Sequence, residues 1–104
     1  MKITTAKDLN KCIDNSIVKV AGLITLRQRP ITANGVTFIS LEDETGTINI
    51  ICWKNIYNKF YKEIISSQLL VVVGRVQTKH GVVNVIAHTI YDFSTMLNFL
   101  PNIE

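Results

Sequence analysis

Phe38, Asn49, Arg27 and Arg29 are the residues whose types, gathered on one face, would do chemistry. An aromatic ring stacks on any nucleobase, worth about 1–3 kcal/mol per base. An amide side chain offers both a donor and an acceptor to a base edge, and guanidinium groups meet phosphates or stack on rings. Lys79 and His80 stand together in a later turn and extend the set, while Lys19, Arg75, Asn84 and His88 rank second because the pattern fixes their faces less firmly. Catalytic chemistry is not suggested: there is no nucleophile beside a base, no phosphate-cradling glycine loop and no HExxH, so no catalytic residue, cofactor or metal is expected. Glu42-Asp43-Glu44 crowds three carboxylates into one turn, where they cannot all converge on an ion, and belongs to a hairpin instead.

The elements that position these residues centre on residues 35–53. Two runs rich in β-branched and aromatic residues flank the interruption at residues 42–46, which reads as a hairpin with a longer loop. Alternation turns Thr37, Ile39, Leu41, Ile48, Ile50 and Cys52 inward. Val36, Phe38, Ser40, Thr47, Asn49, Ile51 and Trp53 then face outward. An outward Phe beside an outward Asn is unusual on a purely solvated sheet.

Before this hairpin, residues 5–13 have a capping Thr4 or Thr5 and place Leu9, Cys12 and Ile13 at helical spacing, predicting a short helix that Asp14-Asn15-Ser16 ends. Residues 17–29 predict a long strand with Val18, Val20, Ile24 and Leu26 toward the core and Thr25, Arg27 and Arg29 on the other face. Gly22 lies mid-strand, where a bend lets one strand serve two neighbours. The loop that follows, from Arg29 to Gly35, leaves both arginines at the edge of the Phe38 face.

After the hairpin, residues 54–65 change to a period near 3.6, with Ile56, Tyr57, Phe60, Ile64 and Ile65 as the apolar stripe of one helix. Residues 68–77 form a fourth strand with Gly74 available for bending, residues 78–81 a turn, and residues 82–90 a fifth strand. In the fifth, Val83, Val85 and Ala87 face in and Asn84, Ile86 and His88 face out. Phe93, Met96, Leu97, Phe99 and Leu100 predict a C-terminal helical tail over 91–104, frayed after Pro101.

Composition sets the frame. With 104 residues, 47% of them hydrophobic, and only two prolines, the chain is expected to be one domain with its own core, organised as 1–16, 17–90 and 91–104. Eleven basic against eight acidic residues permit a polyanion partner without demanding one. Cys12 and Cys52 form no CxxC and read as buried apolar residues. No leader-like apolar segment or bilayer-length run is visible, so a cytoplasmic setting away from membranes is expected.

Five strands, glycine bends in the first and fourth, and a helix between the third and fourth make an all-β, five-stranded Greek-key barrel of the oligonucleotide-binding (OB) type with short terminal helices. Such barrels bind single strands across the second and third strands and the flanking loops. The runs Val18-Lys19-Val20-Ala21-Gly22-Leu23-Ile24, Arg27-Gln28-Arg29-Pro30, Leu41-Glu42-Asp43-Glu44-Thr45-Gly46 and Ile51-Cys52-Trp53 closely resemble the C-terminal OB domain of bacterial error-prone DNA polymerases of the C family. The likeness continues through Gly74-Arg75-Val76-Gln77, Gly81-Val82-Val83 and Ile86-Ala87. More distantly, the barrel is similar to the anticodon-binding domain of aspartyl-type tRNA synthetases, whose Arg, Phe and Gln against bases match Arg27, Phe38 and, with a shorter amide, Asn49.

The resemblance implies a non-catalytic module that holds single-stranded template DNA for a translesion polymerase, within a larger polymerase or repair complex. No oligomer is expected. Two other readings fit the same residues: a protein-docking barrel with Phe38 or Trp53 in the interface, and an RNA or anticodon binder.

Overall fold

In a computed structural model, which describes residues 1–99, five strands close into a barrel in the order β1-β2-β3-β5-β4. They are β1 (Ile17–Gln28), β2 (Thr37–Asp43), β3 (Gly46–Cys52), β4 (Leu69–Lys79) and β5 (Val82–Asp92). All neighbours are antiparallel except β3 and β5, which run parallel. This is the expected OB barrel. Closure removes every sheet edge, and the interior is filled by Val18, Val20, Ile39, Leu41, Ile48, Ile50, Leu70, Val72, Val76, Val85 and Ile90.

Gly22 does what its mid-strand position suggests. Residues of β1 up to Leu23 pair with β4, and from Leu23 onward the strand pairs with β2. A Cβ at Gly22 would stand 2.9 Å from the Glu42 carbonyl oxygen and 3.0 Å from the Leu41 Cβ, so only glycine lets the two strands approach here. Just beyond, the β1–β2 register slips by one residue between Ile24 and Leu26. This bulge inverts the expected faces: Leu26 pairs with outward Ser40 and is exposed, and Arg27 pairs with core-facing Ile39. Alternation cannot register a residue that the partner strand skips.

The hairpin joining β2 and β3 is tighter than expected, with Asp43 paired to Gly46 across Glu44 and Thr45 alone. One oxygen of the Asp43 carboxylate accepts hydrogen bonds from the Thr45 N–H (2.8 Å), the Thr45 hydroxyl (2.7 Å) and the Gly46 N–H (3.0 Å). Its other oxygen accepts from the Ala6 N–H at 2.8 Å and so fastens α1 (Ala6–Leu9) to the turn. Thr5 is the N-cap, but the helix stops at Leu9 and leaves Ile13 exposed.

The helix expected over 54–65 is two short ones, α2 (Lys54–Lys59) and α3 (Tyr61–Ser66), broken at Phe60. The break turns the stripe so that Tyr57 and Ile64 are buried at one end of the barrel while Ile65 is exposed. At the C-terminal side β5 continues to Asp92, and a 3-10 helix over Ser94–Phe99 stands where a longer helical tail was expected. The rest of that expectation, residues 100–104, lies outside the described residues.

Candidate nucleic-acid interface

The barrel's registers sort the outer wall into rows that cross the strands. One row runs Gln28 (β1), Phe38 (β2), Ile51 (β3), Ile86 (β5) and Arg75 (β4). The next runs Leu26, Ser40, Asn49, Asn84 and Gln77 over the same strands. Paired residues share a face, and rows two residues apart lie about 7 Å from each other along the strands. Phe38, 39% exposed, thus sits on the wall with an amide on each side: Gln28 across the ladder and Asn49 one row away. An accessible ring on a half-buried apolar floor is a stacking platform, and the amides around it present unused donors and acceptors.

The arginines occupy other places. The Arg27 Nε–H donates to the Ile64 carbonyl at 2.7 Å and its guanidinium NH2 to the Ser67 carbonyl at 2.5 Å, so Arg27 caps the carbonyl end of α3. Arg29 lays its guanidinium 4.2 Å from the centre of the Tyr57 ring. Both sit beside the helical plug, next to the Phe38 wall and not on it. The cause is the β1 bulge, and the same shift brings Gln28 and Leu26 onto the wall. Neither was legible as a site residue, because strict alternation places both elsewhere or leaves them unassigned.

Of the remaining expected site residues, Asn84 lies beside Asn49 in the parallel ladder, and Arg75, in the Phe38 row, donates to the Asn15 side chain at 2.9 Å. Lys79 is exposed at the end of β4, on the same face as Arg75 and Gln77. His80 and Gly81 form the β4–β5 turn with φ of 52° and 76°, the pair of left-handed residues that a tight type I′ hairpin requires. His88 is the extra residue where the β4–β5 register shifts, and it points to solvent. Trp53, 51% exposed, follows Ile51 on the outward phase at the end of β3 and adds a second ring to that side.

Beneath Arg27, Arg29 and Tyr57 lies a cavity of about 180 Å³, also lined by Thr37, whose hydroxyl is buried and has no hydrogen-bond partner. Cys52 is fully buried, and burial pushes its thiol pKa up to about 12, which keeps it protonated and unreactive. Among the described residues no three His, Cys, Asp or Glu side chains are placed to hold a metal, and no helix is long and apolar enough to cross a membrane.

Comparison with known proteins agrees with this fold. The chain is 40% identical over 95% of its length to an error-prone DNA polymerase of Pseudomonas syringae pv. tomato, and 42% identical over 94% to error-prone DNA polymerase 1 of Rhizobium meliloti. It spans only about a tenth of those relatives, 10% and 9% respectively. Among solved structures, asparaginyl-tRNA synthetase from Pyrococcus horikoshii, in complex with asparaginyl-adenylate, superimposes with a TM-score of 0.76 over 90% of this chain and 23% of its own. At 18% identity that likeness shows the shared barrel alone. The tRNA anti-codon family, described as an OB-fold nucleic acid binding domain, matches residues 18–93, and with most of its barrel inside that match the chain belongs to this family.

Proposed function

We propose that this chain is the single-strand-holding module of an error-prone DNA polymerase, keeping template DNA against its β2–β3 wall during lesion bypass. The observation that carries this reading is the exposed Phe38 ring, set between Gln28 and Asn49 on the outer wall. A base stacks on the ring, the amides meet its edge, and Lys79 takes a phosphate beyond the wall, with Arg29 and Arg75 held at the margins by Tyr57 and Asn15. The identity to polymerases across the whole barrel supports the choice of DNA.

Fluorescence anisotropy with a labelled DNA oligomer and an RNA oligomer of equal sequence tests this. DNA binding that weakens about five- to 150-fold in Phe38→Ala supports the reading, at about 1–3 kcal/mol per stacked base. Equal weak binding by both proteins removes the stacking role, and a clear preference for RNA moves the assignment to an RNA module, since only RNA offers the 2′-hydroxyl.

A second reading, docking onto protein, is favoured by a separate surface. On β1, β4 and the end of β5, away from Phe38, the side chains of Met1, Tyr91 and Phe93 are exposed around Val71 and Val73, with Ile3 added by a parallel bridge to Lys19. An apolar wall of this kind suits contact with the rest of a polymerase or with a repair or clamp partner. Pull-down that survives Phe38→Ala but is lost in Tyr91→Glu would separate the two surfaces.

A further inference from the structure

Four strands each contribute one uncharged polar side chain to a single row: Ser40 on β2, Asn49 on β3, Asn84 on β5 and Gln77 on β4. Asn49 is exposed and the other three are half-buried, so the row is open to a ligand along its length. Among the described residues, the three amides make no side-chain hydrogen bond to the protein; the nearby side-chain bonds belong to Arg75 with Asn15, to Asp14 with the Thr78 N–H, and to the Thr25 hydroxyl, which donates to the Ser40 carbonyl at 3.3 Å. Folding gives no reason for this composition. Asn is depleted from strands, and two of them side by side at the end of the parallel ladder add neither apolar packing nor charge pairing.

The neighbouring row is different in kind, apolar through exposed Phe38, half-buried Ile51 and buried Ile86, so its accessible floor lies on β2 and β3. A base lying on that floor turns its edge toward the amides, about 7 Å away along the strands. Three inter-strand steps carry the amide row about 14 Å from Ser40 to Gln77. That accommodates about four bases at a stacked rise of ~3.4 Å, and fewer when they are splayed. On β4 the next outward residue after Gln77 is Lys79, so the row ends at a cation suited to a phosphate.

Building on the single-strand reading above, we propose that Asn84 and Gln77, continuous with Ser40 and Asn49, form a neutral track that reads base edges and leads the DNA strand off the β2–β3 wall, across β5, to Lys79 on β4. The amides supply both donors and acceptors without placing a charge against the bases. They therefore govern base preference and affinity, while Lys79 governs dependence on salt.

The test is an anisotropy titration of this chain with labelled single-stranded DNA of mixed and of homopolymeric sequence, across a salt series. The proteins are wild type, Phe38→Ala, Asn84→Ala, Asn84→Ser, Gln77→Ala and Lys79→Ala, each first shown by circular dichroism to melt like wild type. Asn84→Ala and Gln77→Ala are expected to weaken binding about three- to tenfold with an unchanged salt slope, and to narrow the differences among base compositions. Lys79→Ala is expected to lower the slope by about 0.7. Binding that depends on Phe38 but is untouched by Asn84→Ala, Asn84→Ser and Gln77→Ala overturns the track and leaves the stacking site in place. No binding by wild type at any salt overturns both.

Discussion

Arg27 illustrates how one side chain can carry the right chemistry and stand in the wrong place for it. Its guanidinium holds the carbonyls of Ile64 and Ser67, satisfying acceptors that the end of α3 leaves without intrahelical partners. Arg27→Met should therefore act on the fold, lowering stability by about 1–2 kcal/mol, the low end for charged hydrogen bonds because the group is partly solvated. Urea unfolding midpoints measure this, and the salt slope of DNA binding should stay as in wild type; a lost slope with unchanged stability would return Arg27 to the phosphate-binding role. Thr37 makes the opposite case. Its buried hydroxyl has no partner among the described residues, so Thr37→Val, which keeps the shape and removes the orphan group, should stabilise by about 1 kcal/mol, or about 4–8 °C in Tm. A fall in Tm on thermal unfolding would mean that the hydroxyl is already satisfied in solution.

Elements explain which of these placements the sequence could reveal. Strict alternation through β2 and β3 made every inward and outward residue of the hairpin legible, including Phe38 and Asn49, because two regular ladders hold one phase from end to end. β1 was legible only as far as its bulge: Ile24 and Leu26 look like one apolar face, and nothing in the residue types announces the skipped position that sends Leu26 outward and swings Arg27 off the wall to the end of α3. The break at Phe60 was hidden for a similar reason, since Ile56, Phe60 and Ile64 keep helical spacing through it. Turns yield sharper expectations. His80 adopts the left-handed conformation that Asn tolerates far better, so His80→Asn, making Asn-Gly, should raise stability by a few tenths to about 1 kcal/mol in chemical denaturation, and a loss would show that the imidazole contributes to the native turn. Asp43 ties the other hairpin to α1. Burial works to raise its pKa, but the hydrogen bonds from Ala6, Thr45 and Gly46 outweigh it and hold the carboxyl below its ordinary value. A carboxyl lowered in the folded state stabilises above its unfolded pKa and loses that contribution as pH falls through the folded one. Stability should thus decline below about pH 4, and Asp43→Asn should flatten part of that decline while Asp92, lowered by the Ser94 side chain and N–H, retains the rest. Parallel acid limbs for the two proteins would contradict the assignment.

For the molecule as a whole, charge and wall have come apart. The chain carries a net +3, yet the Phe38 row and the amide row beside it hold one cation, Arg75, and that one is bonded to Asn15. Arg27 and Arg29 serve the plug, and Lys79 stands at the far margin. On the proposed single-strand reading, affinity is expected to rest on stacking and on neutral amides more than on counterion release. Each neutralised phosphate on a single strand contributes about −0.7 to the slope of log K against log salt. With Lys79, Arg29 and Arg75 as the available contacts, that slope should be no steeper than about −2, whereas a strand gripped mainly through its backbone, with 6–10 phosphate contacts, would give about −4 to −7. Titrations between low and physiological salt decide between them. A shallow slope with affinity lost in Phe38→Ala places the binding energy on the ring, and a steep slope would mean that the lysines of α2 and α3 draw the strand over the helical plug instead of across the β2–β3 wall.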